Sequence, residues 1–236
     1  MDRLGIFARH RMATMLFGLA LLAPAGARAH DYWADADTLR PAPGSALNVW
    51  VTGGHDFPEV ELALRADLLR EVVLVAPDRT RTEIAVKAGE DKRHLGSVAI
   101  PAEPGVHLLE MVIQHPRQKQ PRYVGRAILV VPGADAAPAA YATGHGAEIV
   151  PEAALDRLPA DGKLPVSVRQ NGEPVSATLT VYPAGGKPTV VRTAPGKPGQ
   201  VSVEPGRKYL VVSSVNRLPV SLVFSVEPAD AKPGNK

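Results

Sequence analysis

The stretch "LPVSVRQNGEPVSATLTVYPAGG", residues 164 to 186, decides the fold. Its segments "PVSVRQ" and "ATLTVY" alternate apolar and polar side chains. In an extended chain successive side chains point to opposite faces, so a period of two gives a ribbon with one apolar and one polar face. A helix would need a period near 3.6, which neither segment shows. Between them, Asn171-Gly172 tolerates the positive φ angles that a two-residue hairpin turn demands. A hairpin with one apolar face buries it by packing on another sheet, as in a sandwich.

The same signature spreads outward. Downstream of residue 146, "AEIVP", "TVVRTAP", "QVSVEPG", "KYLVVSSV" and "VSLVFSVEP" continue a series of short β-branched runs. Upstream, strands are expected at 47 to 53, 69 to 77, 82 to 88, 95 to 101, 105 to 115 and 123 to 132, with Gly and Pro punctuation between them. "VELALRADLLREV", 60 to 72, is the one stretch whose pattern also suits a helix. The expected fold class is all-β: two β-sandwich domains, immunoglobulin-like or transthyretin-like, in series. The first spans 30 to 132 and the second 147 to 228. An Ala-, Gly- and Pro-rich linker covers 133 to 146, and 229 to 236 form a flexible tail.

Residues 1 to 29 have the three parts of an export signal: Arg3, Arg9 and Arg11, the apolar run "MLFGLALLAPAGA", and the small-x-small triplet Ala27-Arg28-Ala29. The run is shorter than the roughly 20 residues of a bilayer span. A cleaved signal peptide and a periplasmic location are therefore expected, with His30 as the new amino terminus and no membrane anchor. The other nearby triplet, Ala23-Pro24-Ala25, is spoiled by its proline.

Of the chain's 27 basic and 24 acidic residues, four basic and one acidic lie in this leader, leaving 23 of each. A formally neutral remainder is no footprint for nucleic acid or anionic lipid. The absence of cysteine excludes disulfides, thiolate metal sites, cysteine nucleophiles and a lipoprotein anchor. No G-x-S-x-G elbow, phosphate-binding loop or H-E-x-x-H pair is present. Glu59 with Glu61, and Glu90 with Asp91, read as solvated turn carboxylates rather than a glycosidase pair. A non-enzymatic role is expected.

Six histidines follow the leader: His30, His55, His94, His107, His115 and His145. An N-terminal histidine closes a chelate ring on a metal through its amine and its imidazole Nδ1. A second imidazole then gives three nitrogens in a T, the arrangement called a histidine brace, which suits Cu(II) or Ni(II). Because the amine must lose a proton, and its reference pKa is about 7.7 to 8.0, such binding strengthens as pH rises through neutrality. In "HDYW" an acid and two large aromatics follow His30 and tend to pin a terminus. His55, in "TGGHDFP", projects from a strand end between two glycines and a proline. The expected metal ligands are His30 and His55, with Asp31, Asp56 or His145 completing the shell. His145 stands between glycines where the linker enters the second domain. His107 reads as a core histidine in a strand, and His94 and His115, beside basic residues, as solvated surface. Arg117, Lys119 and Arg122 suggest an exposed hairpin tip.

These motifs resemble a family. An opening Ala-His-Asp-Tyr-Trp, then "PAPGSALNVWVTGGHDFP", then "GHGAEIVP" and the hairpin quoted above is similar to the periplasmic DUF4198-like family, known as a domain of unknown function or a cobalt/nickel transport component. The resemblance covers most of the chain after residue 29 and rests chiefly on the His30 and His55 motifs. It implies an exported two-domain β protein that binds one divalent transition metal (nickel, cobalt or copper) and passes it to, or senses it for, a metal-uptake membrane transporter. By match of motif, His30 and His55 carry that role, with His145 next. Two other readings compete: a copper histidine-brace oxygenase acting on a polymer, with Tyr32 and Trp33 as its nearby aromatics, and a metal-free interaction module of the envelope.

Overall fold

The computed structural model describes residues 30–89, 91–133, 137–157 and 160–227. The expected leader, tail and residues 134–136 of the expected linker lie outside these. Strands are numbered along the chain. One outer sheet has the order β1 (Asp31–Ala36), β2 (Ala46–Gly54), β6 (His94–Ala99), β5 (Lys87–Ala88). The middle sheet has eight strands: β13 (Thr189–Thr193), β12 (Ala177–Pro183), β15 (Lys208–Val215), β16 (Leu218–Ser225), β8 (Tyr123–Val131), β7 (Gly105–Ile113), β3 (Leu69–Val75) and β4 (Arg81–Glu83). The other outer sheet runs β11 (Glu173–Val175), β10 (Lys163–Gln170), β14 (Gly199–Ser202), with β9 (Ala147–Pro151) also on β10. The stretch 60 to 72 forms one 3-10 turn, Ala66–Leu68, and runs into β3, so the helical alternative fails there.

Each half of the chain supplies one outer sheet and four strands of the middle one. The halves meet where β16 pairs in parallel with β8, Val220 opposite Val124 through Val223 opposite Ala127. Every other strand pairing among the described residues is antiparallel. The outer sheets lie on opposite faces of the middle layer, which accounts for the apolar runs of β7, β8 and β16. A strand covered on both sides has no polar face to alternate with. Leu109, Met111, Leu129 and Val223 enter one core with Trp33, Val49 and Val51 of the first outer sheet. Leu108, Ile128, Leu222 and Phe224 enter the other with Ile149, Val166 and Val168 of the second.

The fold is thus an all-β sandwich architecture, as expected, built as three layers. The hairpin that opened the sequence reading forms as read: Asn171 and Gly172 have φ of 52° and 84°, and β10 pairs with β11 across them. Strand β1 was not foreseen. Its inward side chains Ala34 and Ala36 are small, and Trp33 points outward, where Phe57 covers it edge-on at 5.6 Å between ring centroids.

Charges also cross between the halves. Arg126 of β8 pairs with Glu110 of β7 (Nε–Oε2 2.7 Å) and with Glu148 of β9 (Nη1–Oε2 3.0 Å). Lys208 of β15 reaches Asp35 of β1 at 2.8 Å, and burial pushes that carboxyl's pKa up despite the lysine. The expected linker is likewise built into the structure at Tyr141, which is buried and accepts a hydrogen bond from the Leu155 amide at 2.8 Å.

Candidate metal centre

The site grows out of one pair of strands. The β1–β2 register sets Asp31 opposite Gly54 and Tyr32 opposite Gly53. His30, one residue before β1, therefore meets His55, one residue after β2. Their ring centroids are 4.1 Å apart with planes tilted by 49°.

The two glycines make this approach possible. A Cβ on Gly53 would sit 2.7 Å from the Tyr32 ring and 2.9 Å from the Asp31 carbonyl. One on Gly54 would sit 2.6 Å from the Glu59 carbonyl and 3.3 Å from the Trp33 ring. Beyond them the chain turns through His55–Val60, with a cis Phe57–Pro58 peptide and Phe57 buried on Trp33. It returns when the amides of Glu61 and Leu62 both donate to the Gly53 carbonyl, at 3.1 and 3.0 Å.

That return brings Glu61 back onto His55. One carboxylate oxygen, Oε2, accepts the His55 amide at 3.0 Å and lies 2.5 Å from its ring Nδ1. The hydrogen bond with the His55 ring, reinforced by its amide and by the nearby His30 charge, holds the Glu61 carboxyl below the usual carboxylate range. One donor atom from each of His30, His55 and Glu61 lies within 4.8 Å of the others. The side chains of His55 and Glu61 remain 35% and 37% exposed, so the group opens to solvent.

Two imidazoles and a carboxylate form a donor set suited to divalent transition metals. A carboxylate on Nδ1 also fixes the tautomer and orientation of the ring, turning Nε2 toward an ion. Of the expected ligands, the fold brings His30 and His55 together. Asp31 lies in β1 next to them but outside the three-donor group, and its charge acts on the buried Tyr123 phenol. Asp56 is exposed in the turn, where its carbonyl accepts the Glu59 amide at 2.7 Å. His145 is exposed just before β9, in the other outer sheet, and its amide donates to Thr143 Oγ1 at 3.3 Å. Neither Asp56 nor His145 belongs to the group.

Glu61 is the donor that sequence reasoning missed, because a carboxylate in a polar turn looks solvated. The available signal was its place six residues after His55, behind a glycine pair. His94, expected at the surface, is 4% exposed, with Nε2 2.6 Å from the Leu64 carbonyl: it faces inward opposite Val51, and the basic residues before it mislead. His107 is a fully buried core residue, as expected. Arg117, Lys119 and Arg122 are exposed in the β7–β8 connection, also as expected.

Fold and site together define an all-β sandwich protein with a solvent-open His–His–Glu group at one sheet end. Residues 27–208 match the family model "Domain of unknown function (DUF4198)", and the chain belongs to that family. No curated protein matches it. Among solved structures it is similar to a DUF4785 family protein from Legionella pneumophila, with 12% identity, a TM-score of 0.31, and 78% of this chain and 51% of that one covered. It is also similar to a tandem-repeat region of a large adhesion protein, with 10% identity, a TM-score of 0.30, and coverage of 84% and 49%. The D0-D1 domain of intimin gives 16% identity, a TM-score of 0.24, and coverage of 84% and 100%. The chain thus spans about half the length of the first two. Among the described residues no helix is long and apolar enough to cross a membrane.

Proposed function

We propose that this chain is an exported, non-catalytic protein that binds one divalent transition-metal ion, nickel, cobalt or copper, and supports metal uptake or homeostasis in the cell envelope. The observation that carries the reading is the convergence of His30, His55 and Glu61, with a donor atom from each within 4.8 Å of the others. The glycine pair, the buried Phe57 and the paired amides on Gly53 hold that convergence in a short loop at the end of a packed sheet. A site on rigid elements costs little ordering when an ion arrives.

Exposure suits a carrier. An ion held by two imidazoles and a carboxylate at a solvent-open sheet end keeps coordination positions that a partner's ligands can enter, so transfer proceeds by exchange without unfolding. The leader, the resemblance of the His30 and His55 motifs to a cobalt/nickel transport component, and the lack of any catalytic motif support the same reading.

Titration of the purified chain with Ni(II), Co(II), Cu(II) and Zn(II) by calorimetry tests it. One ion per chain is expected, with affinity reduced about tenfold to a hundredfold or more in His30→Ala and His55→Ala. Equal affinity in wild type and both variants, or no binding by the wild type, would overturn it.

A further inference from the structure

Resting on the metal-binding reading above, we infer that the site is latent in the precursor and is completed by proteolysis between Ala29 and His30, which turns the backbone nitrogen of His30 into a metal ligand.

The geometry begins with how firmly residue 30 is held. Strand pairing starts at the next residue, Asp31 opposite Gly54. Tyr32 fills the space over Gly53, its carbonyl accepts the Ser221 hydroxyl at 2.8 Å, and its ring meets Tyr123 edge-on at 5.5 Å. Trp33 follows, 1% exposed. Three consecutive residues thus pin the chain immediately behind His30, so its backbone nitrogen is placed by the same contacts that set its ring 4.1 Å from that of His55.

That nitrogen is joined to Nδ1 of the same ring through Cα, Cβ and Cγ, so an ion on Nδ1 lies within its reach and one chelate ring closes. In a chain that continues upstream the nitrogen is an amide, its lone pair delocalised into the carbonyl, and it is a poor donor at neutral pH. Hydrolysis of the Ala29–His30 bond by an export peptidase adds one water: hydroxyl to the Ala29 carbonyl carbon, hydrogen to the His30 nitrogen. The product is an amine, which binds an ion after giving up its extra proton to solvent. The sequence places a small-x-small triplet, Ala27-Arg28-Ala29, directly before that bond.

The consequence is a change of metal class. Before the cut the group offers two imidazoles and a carboxylate. After it, the amine and two imidazoles give three nitrogens, favouring Cu(II) and Ni(II) with their tetragonal preference. The chain therefore gains its full affinity only after leaving the compartment of its synthesis.

Two forms of the chain test this, one beginning at His30 and one at Gly26. The second is the product of cleavage after Ala25, and it keeps four residues ahead of His30, enough to avoid the separate copper chelates of a histidine at the second or third position. Both are titrated with Cu(II) and Ni(II) against a competing chelator, and the Cu(II) forms are examined by electron paramagnetic resonance. The form from His30 is expected to bind on the order of a hundredfold more tightly, since a donor held in place acts at high effective concentration, and to show one more coupled nitrogen. Binding by the Gly26 form that is equal or tighter, with the same nitrogen count, would overturn the inference while leaving the metal-binding reading intact. Failure of both forms to bind any of the metals would overturn both.

Discussion

Replacing Arg126 by methionine tests how the halves of the chain are held together. The Arg126 side chain is 8% exposed and bridges two carboxylates from different halves, Glu110 at 2.7 Å and Glu148 at 3.0 Å. Its Nη2 also donates to Thr143 Oγ1 at 3.1 Å. Glu110 keeps a second cation, Arg81, at 2.8 Å. Glu148 has no such reserve among the described residues: its side chain is fully buried, Oε2 retains the Thr143 amide at 2.7 Å, and Oε1 has no hydrogen-bond partner there. Methionine fills similar space without charge and strands a buried carboxylate, a change that costs about 3–5 kcal/mol. With a urea m-value of about 1–3 kcal/mol/M, the midpoint should fall by roughly 1–3 M, read from the fluorescence of Trp33 and Trp50. Adding Glu148→Gln to the Arg126→Met chain should restore part of the loss, because the uncompensated charge disappears. A loss below about 1 kcal/mol, or no recovery in the double variant, would refute the claim that a desolvated ion pair links β8 to β9.

Other perturbations probe the site and the core. Gly54→Ala places a Cβ 2.6 Å from the Glu59 carbonyl, so the loop must shift; a stability loss of about 1–3 kcal/mol in urea and weaker metal binding are expected, and unchanged affinity would show that the close approach does not matter. Glu61→Gln keeps an acceptor for His55 but removes the charge, and should weaken metal binding about tenfold to a hundredfold in competition titrations. Burial holds the fully buried His107 imidazole below its usual pKa of about 6.5, with the nearby Asp78 and Glu103 charges only partly offsetting this. The unfolded chain then binds more protons than the folded one below that pH. Stability from this residue is complete above pH about 6.5 and is lost as pH falls below it, and His107→Leu should flatten the acid limb of a stability-versus-pH curve.

What could be read from the sequence follows the reach of each signal. Strand alternation and turn chemistry are local, so β9 falls at the expected residues 147–151 and the Asn171-Gly172 hairpin forms. The convergence of His30 and His55 was legible because each motif marks a chain end or a glycine-flanked strand end, and antiparallel pairing joins the two. The middle sheet was not legible. Its closing pair, β8 with β16, joins residues about a hundred positions apart in parallel, and only the unbroken apolar runs of β7, β8 and β16 hint that both faces are covered. Glu61 escaped for a related reason: its aim at His55 depends on amide bonds to Gly53 that no side-chain pattern announces. His145 drew notice through its flanking glycines, but Gly144 and Gly146 serve left-handed turn positions, with φ of 78° and 66°, in the other outer sheet.

The most direct measurement is anomalous X-ray diffraction, at the metal's absorption edge, from crystals of the chain beginning at His30 grown with Ni(II) or Cu(II). One strong peak is expected between the rings of His30 and His55, beside the Glu61 carboxylate. A peak elsewhere, at His115 or His145 for instance, or none at that position at full metal loading, would contradict the metal centre drawn from this fold.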